Sequence, residues 1–240
     1  MKEDLKKADN NTFSSVGRAL TILECFDRDS FRLSLADIAK KTGFYKSTIL
    51  RLIKDLLDFD YLQRDPDGKY LLGSAPLRLG DMYRLAFSSG LIIQACLQKI
   101  AERTGESTAF YIREGNSRIC LYRRHSQHLL RTHVEIGDKV ALSSGGSACL
   151  IIRAYTDLDS QEADLVAARE RGHCCSVGER TPGVASVSLP IFLSDGKFAG
   201  AMVVSGAASR FDDEARLEGL KIAQEEIAKQ GLYYAPSHPL

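Results

Sequence analysis

The chain of 240 residues is long enough for two domains of about 100–150 residues each. Hydrophobic residues make up 44% and charged residues 26% of the chain, as in ordinary globular proteins. The net charge of +1 excludes a strong electrostatic attraction of the whole chain to nucleic acid. No apolar stretch approaches the roughly 20 residues of a membrane helix, so we expect no membrane partner.

Cysteine usage and the N-terminus indicate the compartment. The six cysteines are scattered without the spacing of a disulfide framework. The N-terminal sequence MKEDLKKADNNTFSS is polar and lacks the apolar core of a signal peptide. We therefore expect a cytoplasmic protein with free thiols, and we expect neither a cofactor nor a bound metal.

The first predicted elements are a tail and a helix. Residues 1–12 are polar and are predicted to be disordered. Ser14 or Ser15 can cap a helix that follows. Apolar residues at helical spacing are expected to be buried by this helix, namely Val16, Ala19, Leu20, Leu23 and Phe26.

Residues 35–57, LADIAKKTGFYKSTILRLIKDLL, have the internal spacing of a DNA-binding helix-turn-helix. Ser34 is the predicted N-cap of the first helix, and the small side chain of Ala39 lets a second helix approach. Gly43 can adopt the left-handed conformation that the turn requires. The second helix begins near Tyr45 and would present short or basic side chains to a DNA groove.

The charges around this segment favour contact with phosphates. Residues 40–54 contain five basic residues and no acidic one, although a solvated helix face is the alternative. Arg51 is expected to bind guanine edges, with an ion pair to Asp55 as the alternative role. Ser47 and Thr48 are expected to bind phosphates, with capping of the helix as the alternative.

A hairpin is predicted next, from two short strands at residues 61–64 and 69–72 around an Asp-Pro-Asp-Gly turn. Three helices followed by a hairpin form a winged helix-turn-helix, which we predict over residues 13–73. The wing tip would offer basic side chains to the DNA backbone or minor groove. The predicted DNA contacts are Arg18, Tyr45, Lys46, Ser47, Thr48, Arg51, Arg64 and Lys69.

The remaining two-thirds of the chain predicts an α+β domain over residues 90–235. A linker helix at residues 74–89 precedes it, and a second helix ends at Gly105. Strands are predicted at residues 107–114, 117–124, 129–136, 173–177, 185–193 and 197–206, and helices at residues 144–155, 159–172 and 212–231. Because most strands are linked by hairpins, the sheet is predicted to be antiparallel.

Several segments in this order resemble the IclR family of bacterial transcriptional regulators, from Ser15 to Phe211. The matching segments are SVGRALTILECF, LSLADIAKKTG, KSTILRLIKDL, GKYLLG, AERTGESTAF, GDKVALSSGGSA, GERTPGVASVSLPIF and MVVSG. The resemblance implies a winged helix-turn-helix and a GAF-like domain that binds a small-molecule effector. It also implies a homodimer or homotetramer that binds a double-stranded operator and regulates catabolic genes, as repressor or activator.

The candidate effector residues come from two arguments. Backbone N–H groups near Gly145, Gly146 and Ser147 lie at a predicted helix start, which suits a carboxylate; a flexible turn is the alternative. The resemblance implies four further positions. Small-acid-binding relatives place an acidic residue at Ser176, a cysteine at Ser186 and serines at Val203 and Ser205. The departure at Val203 favours a larger organic acid with an apolar or aromatic part.

Two alternatives to a ligand-responsive regulator remain. His173, Cys174 and Cys175 are adjacent, and Cys174 and Cys175 would carry a redox or metal response. Adjacent strand residues point to opposite faces, however, and the spaced cysteine pairs of zinc sites are absent. A hydrolase using a serine of residues 143–147 would need a nearby base, and no G-x-S-x-G motif is present. We therefore expect no enzyme activity.

Overall fold

A computed structural model describes residues 13–87, 89–129 and 134–234. The chain divides into two compact units, residues 1–86 and 87–240. The predicted tail at residues 1–12 lies outside the described residues, as do residues 130–133 of the predicted strand at 129–136. Within the described residues, no helix combines the length and the apolar character needed to cross a membrane.

The first unit is a three-helix bundle followed by a two-stranded hairpin and a fourth helix. Its elements are α1 (Ser15–Leu23), α2 (Leu35–Thr42), α3 (Lys46–Asp58), β1 (Leu62–Arg64), β2 (Tyr70–Leu72) and α4 (Ala75–Leu85). Strands β1 and β2 pair antiparallel. This order of elements is that of a winged helix-turn-helix.

Helix α1 buries a different face from the one predicted. Ile22 is fully buried, whereas Val16 is 70% exposed and Leu20 is 55% exposed. Leu20 lies two residues from Ile22, which is about 200° around a helix, so the two side chains cannot share a face. The expectation that Val16 and Leu20 are buried was wrong. Ile22 instead joins Ile38 and Ile49 in the core of the unit.

The helix-turn-helix itself forms as the sequence predicts. The hydroxyl of Ser34 accepts a hydrogen bond from the Asp37 N–H, and the Asp37 carboxylate accepts one from the Ser34 N–H, which makes a reciprocal cap. The Asp37 carboxylate accepts hydrogen bonds from the Ser34 hydroxyl at 2.7 Å and from the Ser34 N–H, and these two bonds lower the pKa of Asp37. Helix α2 ends at Gly43, which has φ +73° and therefore adopts the predicted left-handed conformation.

The second unit is built on one six-stranded sheet with helices on both faces. Its elements are α5 (Gly90–Thr104), β3 (Ser107–Glu114), β4 (Ser117–Arg124), β5 (Lys139–Ala141), a short 3-10 helix (Leu142–Ser144), α6 (Ser147–Thr156), α7 (Ala163–Arg171), β6 (Cys174–Val177), β7 (Val184–Phe192), β8 (Phe198–Ala207) and α8 (Asp213–Lys229). The strand order is β5-β4-β3-β8-β7-β6, and every neighbouring pair is antiparallel. The α+β architecture with an antiparallel sheet is confirmed.

Alternation along the strands divides the sheet into two faces. Val187 of β7 points into the core that α5 and α8 cover. Ser186 and Ser188, its neighbours, point to the opposite face and contact Ser147 at the start of α6. The polar residues of the central strands therefore meet the N-terminus of α6.

The predicted strand at residues 129–136 is not seen where the structure describes it. Residues 134–136 are not in a strand, and pairing with β4 comes instead from Lys139–Ala141. The Asp138 carboxylate accepts a hydrogen bond from the Glu135 N–H at 2.8 Å, and Gly137 has φ +88°. This turn places the strand after the turn rather than before it.

Candidate DNA interface and effector pocket

The N-terminal part of α3 presents an unobstructed polar face. Its buried residues, Ile49 and Ile53, anchor the helix in the core of the first unit. Exposed side chains on the opposite side are Tyr45, Lys46, Ser47, Leu50, Arg51 and Lys54, while Thr48 is half-buried. Tyr45 is 81% exposed. A helix that carries basic and hydroxyl groups on one solvent-facing side can bind phosphates and base edges.

The alternative roles for these residues are not seen in the structure. Tyr45 occupies the N-cap position of α3, and no side chain caps the helix, so Ser47 and Thr48 do not act as caps. Between the described residues Arg51 and Asp55 the structure shows no ion pair. These side chains are therefore not committed to local structural contacts.

The other predicted basic contacts differ in how much freedom they have. Arg18 on α1 is half-buried. Lys41, one of the five basic residues near the turn, donates a hydrogen bond to the Cys25 carbonyl at 2.8 Å and pairs with Asp27 at 3.4 Å. Lys41 thus links α2 to the end of α1. Lys40, its neighbour, is exposed.

The wing is held by an arginine that sequence analysis did not single out. The Arg32 guanidinium donates to the carboxylates of Asp65 and Asp67, each at 2.9 Å from one of its nitrogens. These hydrogen bonds raise the pKa of Arg32. Because the partners lie more than 30 residues apart in the chain, no local motif indicates the contact.

The two predicted contacts of the wing lie on either side of its turn. Arg64 donates to the Gly68 carbonyl at 3.2 Å, and its guanidinium lies 5.7 Å from the centre of the Tyr70 ring. Lys69 is exposed. The wing thus has a defined conformation with a basic side chain at the solvent.

The second unit contains a pocket between the start of α6 and the sheet. Its volume is about 50 Å³, which is room for a small group of non-hydrogen atoms. The structure brings six of the seven predicted effector residues to its wall, namely Gly146, Ser147, Ser176, Ser186, Val203 and Ser205. Gly145 precedes the wall without lining it.

Serine hydroxyls form a continuous chain along one side of the pocket. Ser147 Oγ lies 2.7 Å from Ser186 Oγ and 2.6 Å from Ser188 Oγ. Ser186 Oγ lies 3.1 Å from Ser176 Oγ, which is only half-buried. Each hydroxyl can donate once and accept twice, so the chain can offer either role to a ligand at its Ser176 end.

The predicted carboxylate site at the start of α6 already has an occupant. Gly146, the N-cap residue, donates its N–H to Glu179 Oε2 at 3.0 Å. A carboxylate at a helix N-terminus is favoured by the exposed N–H groups and the helix dipole. The chemistry predicted from the sequence is therefore present, but the protein itself supplies the anion.

The pocket has a basic side, of which the sequence indicated Arg123, near His125, as part of a basic surface or pocket rim but did not indicate Arg118 or Arg180. Arg118, Arg123 and Arg180 line it together with Tyr111. Arg118 is 5% exposed, and its guanidinium carbon lies 4.1 Å from the centre of the Tyr111 ring. The only sequence signal is the position of Arg118 two residues before the buried Cys120 on the same strand, since alternate residues share a face.

The alternative redox role of Cys174 and Cys175 gains no support from the geometry. Burial raises the pKa of Cys174 to about 11 and also raises the pKa of Cys175. A reactive or metal-binding cysteine requires a thiolate, and a raised pKa keeps both residues as thiols at neutral pH. The described residues contain no group of three His, Cys, Asp or Glu side chains that could hold a metal ion.

The hydrolase alternative also lacks a base. Ser147 Oγ is engaged by Ser186 and Ser188, and the described residues that line the pocket include no histidine. His125 lies with its Nε2 3.4 Å from Glu135. The pocket is therefore suited to binding a small anion rather than to activating a serine.

Comparison with known proteins places both units in one family. The IclR helix-turn-helix domain matches residues 15–66, and the C-terminal domain of the bacterial transcriptional regulator IclR matches residues 150–230. Together the two matches cover more than half of the chain. The HTH-type transcriptional regulator XynR of Escherichia coli K12 is 28% identical over 242 residues, which span 91% of this chain and 94% of XynR.

Solved structures show the same fold. The Thermotoga maritima IclR structure has a TM-score of 0.74 at 20% identity and covers 90% of this chain and 96% of its own. An IclR homologue from Microbacterium hydrocarbonoxydans, solved with 4-hydroxybenzoate, has a TM-score of 0.68 at 16% identity and covers 90% of this chain and 100% of its own.

The function of the matched relatives agrees with the geometry. They are regulators of transcription and not enzymes, so the prediction that this chain is a DNA-binding regulator rather than an enzyme is confirmed. A winged helix-turn-helix unit and a separate unit with a ligand-sized pocket are the two parts such a regulator needs. The chain belongs to the IclR family of bacterial transcriptional regulators.

Proposed function

We propose that this protein binds a double-stranded operator through α3 and the wing and regulates catabolic genes in response to a small organic acid. The exposed, uncommitted basic face of α3 carries this proposal. The winged helix-turn-helix spans residues 13–73, a linker segment that contains α4 spans residues 74–89, and the effector domain spans residues 90–235. Because the operator is part of the bacterial chromosome, the protein acts in the cytoplasm.

At the DNA, the residues of α3 divide by chemistry. Arg51 reads guanine edges, because a guanidinium can donate two hydrogen bonds to one base. Lys46, Ser47 and Thr48 bind phosphates and fix the orientation of the helix, and the exposed Tyr45 contacts the DNA at the N-terminal end of α3. Supporting contacts from Arg18, Arg64 and Lys69 reach the backbone beside the recognition helix.

In the effector domain, the pocket takes an anion. Three arginines and a set of serine hydroxyls line its wall. Val203, where small-acid-binding relatives carry a serine, adds apolar surface for an aromatic or aliphatic part of the ligand. A homologue of the same fold was solved with 4-hydroxybenzoate, an acid of this class.

The protein forms a homodimer, and two dimers can assemble into a homotetramer. Helix α4 exposes a set of large apolar side chains, namely Leu77, Leu79, Met82, Tyr83 and Leu85, each about half exposed or more. Exposed apolar surface on this scale marks an interaction site.

A dimer would place two recognition helices on two half-sites. An effector that binds one spacing of the helices more tightly would then shift operator affinity, with residues 74–89 transmitting the change.

The test is operator binding by an Arg51→Gln variant. Fluorescence anisotropy with DNA from the gene's own upstream region, with competitor DNA and a salt series, measures specific affinity. We expect a loss of about 1–3 kcal/mol per protomer in specific binding, as for a lost bidentate base contact, with little change in non-specific binding.

Lys221→Gln on α8 is the matched control, because it removes an exposed positive charge from the other unit. This variant should bind the operator as the wild type does. Equal losses in the two variants would contradict the assignment of α3 as the reading helix. Wild-type binding no stronger than binding to competitor DNA would contradict the proposed operator.

A further inference from the structure

The most unusual group in the pocket is the guanidinium of Arg118. Arg118 is only 5% exposed, yet no carboxylate of the described residues forms an ion pair with it. Its Nε is buried and has no hydrogen-bond partner among the described residues. Arginine cannot give up its proton, so burial imposes a desolvation cost on this charge and on this donor.

Tyr111 completes one end of the pocket. Its ring lies under the Arg118 guanidinium at 4.1 Å, and its hydroxyl makes no hydrogen bond to a described residue. Burial raises the pKa of Tyr111, so the hydroxyl remains a donor at neutral pH. A buried cation beside an unused O–H donor is a site for the oxygens of an anion.

The competing anion site cannot take the ligand without displacing the protein's own carboxylate. The start of α6 is occupied by Glu179, whose Oε2 accepts the Gly146 N–H at 3.0 Å. A ligand carboxylate placed there would lie beside a like charge, which is unfavourable. The start of α6 is therefore already paired with Glu179, whereas the buried Arg118 forms no ion pair with a described carboxylate.

The strand order determines which residues face the end of the ligand that lies opposite Arg118. Arg118 lies on β4 and Tyr111 on β3, whereas Ser186 and Ser176 lie on β7 and β6 at the far side of the sheet. Four hydroxyls with four protons form the three bonds of the serine chain, which leaves one proton for a further acceptor. Val203 of β8 lies between the two ends.

We propose that Arg118 and Tyr111 bind the carboxylate of the effector and that the serine chain binds a hydroxyl or carbonyl oxygen at the effector's opposite end. The effector is then a hydroxy- or oxo-substituted carboxylic acid with an apolar middle. This inference rests on the proposed ligand-responsive function and assigns the residue that selects the acid.

The experiment compares acids with their neutral amides on the full-length protein. The probes are 4-hydroxybenzoate, 3-hydroxybenzoate and 4-hydroxyphenylacetate, and the three corresponding amides are their partners of the same shape. Thermal melting detects binding, and calorimetry gives Kd for each probe that raises Tm. We expect at least one acid to raise Tm and its amide to bind at least about tenfold more weakly, which corresponds to about 1.4 kcal/mol.

Variants assign the preference to Arg118. Arg118→Met should remove the preference for acid over amide, and Arg118→Lys, which keeps the charge, should retain part of it. Arg216→Met is the control, because Arg216 is also buried, at 7% exposure, but lies on α8 outside the pocket lining. This control should leave the preference unchanged. If Arg118→Met fails to fold, the wild-type acid and amide series and Arg118→Lys still decide.

Three results would overturn the inference: no acid raises the Tm of the wild type, an amide binds as tightly as its acid, or Arg118→Met retains the preference. Operator binding is measured in parallel by anisotropy without any probe. Retained operator binding in the absence of any acid response would refute the role of Arg118 and leave the DNA-binding function standing. If the wild type binds the operator no more tightly than it binds competitor DNA, the proposed function itself is refuted.

Discussion

Glu106, a buried carboxylate, and Arg210, which is half-buried, form an ion pair that joins distant parts of the second unit. Arg210 Nε lies 2.6 Å from Glu106 Oε1, and a second guanidinium nitrogen lies 2.9 Å from Oε2. Glu106 is 4% exposed. A Cβ at Gly206 would lie 2.5 Å from the Glu106 carboxylate, so the pair also depends on a glycine at that position. The carboxylate cannot be solvated where it lies and therefore depends on Arg210.

Replacing Arg210 with Met should destabilise the second unit by about 3 kcal/mol, because it leaves a buried carboxylate without its counter-ion. Urea unfolding measures the change in the free energy of unfolding, and circular dichroism is the probe because the chain contains no tryptophan. Lys99→Met is the control, since Lys99 pairs with Glu102 in an exposed contact 3.1 Å long that should contribute less than about 1 kcal/mol. Equal stability of the two variants would contradict a structural role for the buried pair.

Residues that act through distant contacts are those that the sequence does not reveal. Ser147 and Ser186 could be proposed from local pattern and resemblance, but Ser188 joins the same chain only because β7 alternates toward α6. Arg118 and Glu179 reach the pocket from β4 and from the turn before β7. Their roles depend on strand order, which a pattern of period two does not determine.

At the scale of elements, the turn between α2 and α3 sets the position of the recognition helix. Gly43 closes α2 by donating its N–H to the Ala39 carbonyl at 2.8 Å, with φ at +73°. No atom lies within 4 Å of the position that a Cβ would occupy there. The requirement at Gly43 is therefore conformational rather than steric with respect to neighbours.

Gly43→Val should destabilise the first unit by about 1–2 kcal/mol, because a branched side chain disfavours the left-handed conformation. Gly80 on α4 provides a control of opposite sign: its φ is not positive, no atom lies within 4 Å of its Cβ position, and Gly80→Ala should stabilise the unit by about 0.5–1 kcal/mol. Thermal melting of both variants measures the difference. A Gly43→Val protein as stable as the wild type would contradict the requirement.

Elements with strong local signals were the ones predicted well. The strands at residues 107–114 and 117–124 match the observed β3 and β4, since β-branched and aromatic residues surround a two-residue hairpin turn. β5 was missed because three residues are too few to show a period, and only pairing with β4 makes them a strand. The buried face of α1 was misassigned because its apolar residues surround more than one side of the helix.

At the scale of the whole molecule, α4 presents apolar surface that nothing in its own unit covers. Leu77 and Leu85 are each 69% exposed, and Met82 near the middle of the helix is 54% exposed. Surface of this kind is stable in water mainly when a partner covers it. A second copy of the chain would bring a second α3 to the same operator and link the two binding events.

Met82→Glu should therefore convert the proposed dimer to a monomer without unfolding it, because a charge in an apolar contact is not solvated there. Sedimentation velocity measures the mass, and anisotropy should show operator affinity falling by about 100-fold or more as the two half-sites are bound independently. Leu217→Glu is the matched control, since Leu217 on α8 is also 54% exposed. A dimer that survives Met82→Glu but dissociates with Leu217→Glu would move the interface from α4 to the second unit, and a monomeric wild type would refute self-association altogether.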